Sequence, residues 1–534
     1  MSGLERKLGL AHIVFIASGA LISSGLFVLP GIAHGRAGPA VVVSYLLAGL
    51  LAAVGLLSVA ELTTAMPKAG GDYFFISRAL GSGTGTVAGL LSWFSISLKS
   101  AFALVGIGAL AELALPVDGR IVGAVFLAVF SLLNIHGVKK AANLQVVLGV
   151  LLMLLLGGFV AAGLRDIDAE NFRPLAPNGW TAVFSTAGFV FVAFGAAMQV
   201  AGMAEDIRDP GRNVPRGIGI SIILVTLLYV AVIGVATGVL PGERLDYSMT
   251  PISDAAGAFL GRPGMIVMSA GALIAFLTTA NAGILTSSRY LLALSEDDLA
   301  PAVLSRLRGG TGSPWAAVLA TTGLLAAAIL VPLKVLVESA SAVFVIMYIL
   351  ASISIIVLRE GRVQNYRPVF TVPLYPYLQI AGIAGFVFVL IEMGYEALLI
   401  AGGLVIGAFS LYLFYGRRRR SAESALIHLI ERVTDRELIE GDLEDELRDI
   451  IRKRDGIGLD RIYRLIERAE IIDLEGPSEA GEFFDLASAR IAPAAGADPR
   501  AVSRTLSMQE GRTGTVVKKG VAVPHLVFDG EGVY

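Results

Sequence analysis

The residues best placed to do chemistry in this chain are polar ones set in the middle of apolar runs. From His12 to His34 the run reads HIVFIASGALISSGLFVLPGIAH, and its centre, Gly19-Ala20-Leu21-Ile22-Ser23-Ser24-Gly25, is small and polar where hydrocarbon calls for bulk. Such a centre predicts a helix that breaks. Each unpaired amide or carbonyl costs several kcal/mol in hydrocarbon, so broken backbone survives only where protein or a water-filled cavity surrounds it. Amides that follow a break favour an anion such as a carboxylate, and carbonyls that precede it favour a cation. An amino acid carries both groups. A second interruption, Gly195-Ala196-Ala197-Met198-Gln199, lies inside TAVFSTAGFVFVAFGAAMQVAGMAED. Glycine-rich centres also serve close helix packing, and composition alone leaves both readings open.

Lys99 is the anomaly among the charged residues. It lies about a dozen residues from either end of the apolar run over 84–112, roughly 18 Å at ~1.5 Å per residue, which is beyond the reach of a lysine stem to the interface. Lysine at the bilayer centre costs roughly 2.5–3.5 kcal/mol, so it should face a polar cavity, a partner or its neutral state. No Asp or Glu falls at that depth, since Glu61, Glu205 and Glu392 lie near run ends. Lys99 therefore either titrates, serves as a fixed positive charge in coupling or gating, or caps carbonyls between helices. Glu205 and Asp206, followed by Arg208, Arg212 and Arg216, have the makings of a gate network, or of ordinary solvated loop charges. The chain holds no cysteine, which excludes disulfides, thiolate catalysis and Cys-ligated metals. No nucleophile, metal cluster or phosphate-cradling loop argues for an enzyme, and no cofactor is expected.

The elements that must position these residues are membrane helices. With 534 residues, 55% hydrophobic and only 16% charged, the chain is far too apolar for a soluble protein. The net charge of −2 points to neither nucleic acid nor an acidic ligand. Apolar runs predict twelve spans, near 12–34, 39–62, 84–112, 120–137, 142–164, 181–203, 217–240, 264–294, 315–332, 335–358, 373–394 and 397–415. The basic start MSGLERKLG precedes a run too long for a signal peptide and without a convincing cleavage site, so the first span is expected to stay uncleaved. With the N-terminus inside, loop and end positions such as Arg6, Lys7, Lys139, Lys140, Arg208, Arg212 and the Arg417-Arg418-Arg419-Arg420 cluster fall on the cytoplasmic side. Only Arg36, Arg120, Arg165, Arg173, Arg244, Arg262 and Lys334 fall outside. That bias places both termini in the cytoplasm of a multi-pass cell-membrane protein. Interrupted spans one and six suggest two five-span halves, the second inverted, with a site midway between the two breaks.

Five segments together resemble the amino acid, polyamine and organocation (APC) superfamily of secondary transporters over roughly residues 8–415: GALISSGLFVLPG, ELTTAMPKAGGDYFFISRALG, AEDIRDPGRNVPRGI, TTANAGILTSSRYLLALSEDDLAP and VLREGRVQNYRPVFTVPLYP. The resemblance implies an all-α membrane fold, an inverted five-plus-five helix repeat with broken helices 1 and 6 and two peripheral spans, and an amino acid or similar small amine as substrate. It implies that Ser23, Ser24 and Gly25 offer amides to the substrate carboxylate and that the carbonyls of Ala20 and Ile22 take its amine. Phe194, Gly195 and Ala196 would supply opposing carbonyls and part of an aromatic gate. In sodium-coupled transporters of similar fold, hydroxyls at the place of Thr278 and Thr279 join helix-1 carbonyls around one cation, although a membrane threonine ordinarily bonds the carbonyl one turn back. Na+ or H+ are the coupling ions to consider. Two departures bear on this. Ala196-Ala197-Met198 stands where many relatives carry Gly-Phe-Glu, which predicts a roomier, uncharged pocket. Leu152 stands where some proton-coupled relatives carry a lysine. The nearest alternatives are a carrier of another small amine or metabolite, and a transporter-like sensor that signals through the tail to a regulatory partner.

Past Tyr415 the composition changes. A transmembrane domain is expected over 1–416, a cytosolic helical linker over 417–478, and a small α/β segment over 479–534. This last segment resembles the opening of a phosphotransferase-system enzyme IIA domain. GVAVPH places His525 where that family carries its phosphorylated histidine, although such domains run roughly a hundred residues further.

Overall fold

In this computed structural model the described residues are 9–22, 24–66, 71–114, 116–136, 141–195, 207–308, 313–361, 366–415, 480–495, 498–505, 516–518 and 521–522. The chain divides into two compact units, residues 1–436 and 437–534. In the first unit the described elements are helical. In order they are α1 (Leu10–Leu21), α2 (Ser24–Phe27), α3 (Leu29–Ala37), α4 (Val41–Ala65), α5 (Gly71–Leu80), α6 (Ser82–Ala114), α7 (Gly119–His136) and α8 (Ala141–Gly163). There follow α9 (Gly179–Val190), α10 (Pro210–Val239), α11 (Gly242–Leu245), α12 (Pro251–Glu296), α13 (Trp315–Ala328), α14 (Leu333–Glu360), α15 (Tyr377–Glu392) and α16 (Tyr395–Phe414).

Among the described residues, eight helical stretches are long and apolar enough to cross a membrane: Leu29–Ala65, Ser82–Glu112, Gly119–His136, Val146–Asp166, Pro210–Val239, Pro251–Glu296, Leu333–Glu360 and Tyr395–Phe414. Four shorter apolar helices, Leu10–Leu21, Gly179–Ala193, Trp315–Ala328 and Tyr377–Glu392, stand where four further spans are expected. Burial separates centre from rim. The apolar windows of α6 and α14 are each 72% buried and that of α16 only 17%, so the first two are central and the last is peripheral. Leu50, Ile121, Leu154, Ile223 and Phe414 lie exposed on outward faces. Helices with apolar outer surfaces of this kind belong in lipid.

Punctuation in the sequence sets several boundaries. Pro332 precedes α14 and α13 stops at Ala328, four residues before the expected end of the ninth span. Pro373 and Pro376 hold residues 373–376 in turns, so α15 starts at Tyr377. Within α12, Gly261 at φ 65° with Pro263 after it kinks the rod, and the predicted span over 264–294 is its second segment. That segment lies very close to α6, where a Cβ on Gly283 would sit 1.7 Å from the Ser100 hydroxyl. Only glycine permits this approach.

In the second unit, α17 (Ala480–Ala495) and a helical turn over 499–505 precede β1 (Val516–Lys518), which pairs antiparallel with β2 (Val521–Ala522). Ser503 hydrogen-bonds Asp485, tying the turn to α17. The expected linker over 417–478 and His525 lie outside the described residues.

Candidate functional site

The first predicted break is present. α1 ends at Leu21, Ile22 takes φ −70° and ψ 86°, outside helical geometry, and α2 resumes at Ser24. The Ile22 amide still closes on the Ser18 carbonyl at 2.7 Å. Carbonyls freed by a break need donors from elsewhere. Three helices provide them. Lys99 Nζ on α6 donates to Ala20 O at 3.4 Å, Tyr229 Oη on α10 to Leu21 O at 2.5 Å, and Tyr45 Oη on α4 to Gly25 O at 3.1 Å. Ser18, Leu21 and Ile22 are buried, while Gly19 and Ala20 between them are only half-buried.

The second break begins earlier than its glycine. α9 leaves α-helical form after Val190 and tightens into a 3-10 turn over Phe191–Ala193, where Phe194 N bonds Phe191 O at 2.9 Å. The cause lies on another helix. Ser341 of α14 donates to Phe189 O at 2.8 Å and accepts from Val192 N at 3.0 Å, replacing bonds within the helix, and Tyr348 Oη reaches Phe194 O at 3.4 Å. The two breaks meet directly: a Cβ on Gly25 would lie 2.7 Å from the Ala193 Cβ. The Tyr229 ring stands 5.3 Å from Phe194 and 5.8 Å from Tyr45, centre to centre, so one tyrosine touches both sides of the junction. Gly195 packs on the Phe344 ring.

Of the sequence-predicted residues, Ala20, Ile22, Gly25, Phe194, Gly195 and Lys99 are thus gathered around one junction. The backbone of Ser24 opens α2, whereas Ser23, Ala196 and Glu205 lie outside the described residues. Lys99 is 3% exposed, and among the described residues no carboxylate pairs with it. Its observed bond is the carbonyl-capping one. Thr278 Oγ1 donates back to Ile274 O at 2.9 Å and Ala275 O at 3.0 Å, as a membrane threonine ordinarily does, and Thr279 is half-buried. Tyr45 and Tyr229 were not singled out by sequence. Their one signal was a hydroxyl-bearing ring inside an apolar run, which also suits packing.

Charge pairs stand at both ends of α14. At its start Glu338 accepts from Arg36 of α3 at 2.7 Å, and the Arg36 guanidinium lies 3.9 Å from the centre of the Phe189 ring. At its other end Arg359 grips Glu61 of α4 through two bonds, Nε to Oε1 at 2.8 Å and a second nitrogen to Oε2 at 2.5 Å. Tyr366 Oη at 2.7 Å and Val372 N at 2.6 Å complete the shell of this fully buried carboxylate. Burial first and the Glu61 charge second push the Tyr366 phenol well above its ordinary range. Because Arg36 precedes α4 and Glu61 ends it, these pairs also show that α4 and α14 run parallel.

Nearby in the chain, buried Asp72 of α5 accepts from Tyr290 Oη at 2.5 Å, Ser92 Oγ at 2.6 Å and Tyr73 N at 3.1 Å. Burial raises its pKa, and the hydrogen bonds from Ser92, Tyr290 and Tyr73 offset part of that rise. Tyr73 Oη in turn donates to Asp297 at 2.6 Å. The motif segments noticed in the sequence therefore bond to one another: ELTTAMPKAGGDYFFISRALG meets VLREGRVQNYRPVFTVPLYP through Glu61, and TTANAGILTSSRYLLALSEDDLAP through Asp72 and Tyr73.

Comparison with known proteins gives the family. The chain is 30% identical to the branched-chain amino acid permease BcaP of Lactococcus lactis, over 75% of this chain and 92% of that protein. It is 28% identical to the BcaP permease of Bacillus subtilis, over 78% and 94%. It is also 29% identical to the chloroplastic cationic amino acid transporter 9 of Arabidopsis thaliana, over 57% and 58%. The family model "Amino acid permease" matches residues 12–415, the whole helical region that holds both breaks, and the chain belongs to the amino acid permease family, within the APC superfamily.

Proposed function

We propose that the chain is a secondary active amino acid transporter working by alternating access around its two broken helices. What supports the reading most is the junction itself, with the α1 break at Ile22 packed through Gly25 on the unwound end of α9 at Ala193. On this reading the protein spans the membrane twelve times with both termini cytoplasmic, the four shorter apolar helices acting as spans or half-spans. It is a carrier rather than an enzyme. The amides of Ser23, Ser24 and Gly25 receive the substrate carboxylate, Ala20 and Ile22 present carbonyls to the amine, and Phe194, Gly195 and Ala196 close the opposite wall.

The substrate class is small and apolar. The surroundings of the junction are Tyr45, Tyr229, Phe194, Phe27 and Phe276, and the named specificity of the BcaP relatives is for branched chains. Lys99, Thr278, Thr279 and Glu205 are the coupling and gating candidates, with Na+ or H+ as the ion. The tail, with its enzyme IIA-like segment and His525, is the candidate contact for a regulatory partner.

A carrier of a different metabolite is the second reading. The methylthioribose transporter of Bacillus subtilis is 27% identical over 71% of this chain and 86% of that protein, and Ala196-Ala197-Met198 supplies no carboxylate for an amine. Uptake of a radiolabelled amino acid panel and of methylthioribose into proteoliposomes, with sodium and pH gradients imposed separately, tests both. Gradient-driven uptake of a branched-chain amino acid is expected. Uptake of methylthioribose alone would overturn the amino acid assignment.

A further inference from the structure

Among the described residues, no anion faces Lys99. Its ammonium carries three donor protons, and the bond described for it is a single long one to the neutral carbonyl of Ala20. The serines beside it on α6 turn away, Ser97 to Trp93 O at 2.7 Å and Ser100 to Ile96 O at 2.8 Å. The α10 and α4 hydroxyls at the break are committed to Leu21 O and Gly25 O. A buried cation this poorly matched is costly unless something arrives to pair with it. The place it occupies is also informative. Ala20 lies on the carbonyl side of the break, where a ligand's cation belongs, and Gly19 and Ala20 are half-buried where Ser18, Leu21 and Ile22 beside them are buried.

We propose that Lys99 is a displaceable internal cation: it holds the Ala20 carbonyl while the site is unloaded, and it passes to the ligand's carboxylate when the ligand's amine takes that carbonyl. The inference rests on the transporter reading above and adds a selection rule to it. A ligand that brings an amine without a carboxylate strands the ammonium in the membrane interior. A ligand that brings both groups exchanges one weak contact for two charge-assisted ones. Lys99 thereby makes the site demand a zwitterion.

The test compares leucine with its two halves, isopentylamine and isocaproate, by competition binding to the purified full chain. Wild type should bind leucine and discriminate strongly against isopentylamine. In Lys99→Met, which keeps an apolar stem and removes the charge, the affinity ratio of leucine to isopentylamine should fall by at least about tenfold, and isocaproate binding should weaken by a similar factor. Lys99→Arg keeps the charge and should keep the discrimination, which preserves a readout if the Met variant does not fold. Leucine bound by wild type with a ratio unmoved in Lys99→Met, or discrimination lost in Lys99→Arg, overturns the inference alone. A wild type that binds no amino acid overturns the transporter reading and this inference with it.

Discussion

Glu61 is a carboxylate with no exposed surface, held by a forked arginine, a phenol and a backbone amide. Removing one partner of a buried pair leaves the other charge stranded, which typically costs about 3–5 kcal/mol. Glu61→Gln should therefore lower the melting temperature in detergent sharply. The double variant Glu61→Gln with Arg359→Met should recover part of the loss, because the two sites share one interaction. Asp72 makes a pH-dependent counterpart. Its folded pKa is raised above the unfolded value, so the stability linked to it is fully present below the unfolded pKa and is lost as pH rises through the folded one. The melting temperature of wild type relative to Asp72→Asn should accordingly fall as pH rises through that window, and a flat or opposite trend would contradict the burial argument. At Gly25 the prediction is steric. A valine there meets Ala193 at well under contact distance, so Gly25→Val should reduce uptake about a hundredfold or more while helical content, read by circular dichroism, is kept. At this scale the sequence was only partly legible. Lys99 stood out because a central lysine violates the lipid environment by itself. Glu61 looked like an ordinary charge near a run end, since its partner Arg359 is 298 residues away.

Elements were more legible than contacts. The small, polar centre of the first span located its break, because backbone that cannot stay helical in lipid announces itself in local composition. The second break was read at Gly195, yet α9 departs from α-form at Phe191 because Ser341 intrudes from α14. Nothing local to residues 191–195 encodes that intrusion. Ser341→Ala removes a donor to Phe189 O and an acceptor for Val192 N together, and should destabilise by about 1–3 kcal/mol. Thermal melts give that cost. A transport assay on the same variant should show a larger loss than Ser354→Ala, whose hydroxyl only bonds back to Leu350 on its own helix.

For the whole molecule, the places of the eight helices long and apolar enough to cross a membrane and the change in composition past Tyr415 could be read from hydropathy, whereas the centrality of α6 and α14 could not. Both have apolar runs like their neighbours, and only packing separates a 72% buried window from a 17% buried one. The family match ends at residue 415, and the compact unit that holds the breaks ends at 436. A chain cut after residue 436 should insert, fold and transport within about twofold of the full chain. Uptake abolished by that cut would favour a signalling role for the tail.

The charge pairs on α14 have a mechanical consequence. Glu338 and Arg359 are 21 positions apart, roughly 30 Å along a rod rising ~1.5 Å per residue, and both are engaged at once, with Ser341 and Tyr348 fastened to the α9 break between them. On the transporter reading proposed above, the two pairs act as two bolts, and both are closed. Parting one buried pair adds about 3–5 kcal/mol to any tilt of the rod, which lengthens the waiting time by roughly two to four powers of ten. On that reading, leakage through an unloaded carrier is kept rare, and the speed of a working cycle depends on how far a bound ligand loosens one bolt while the other stays home.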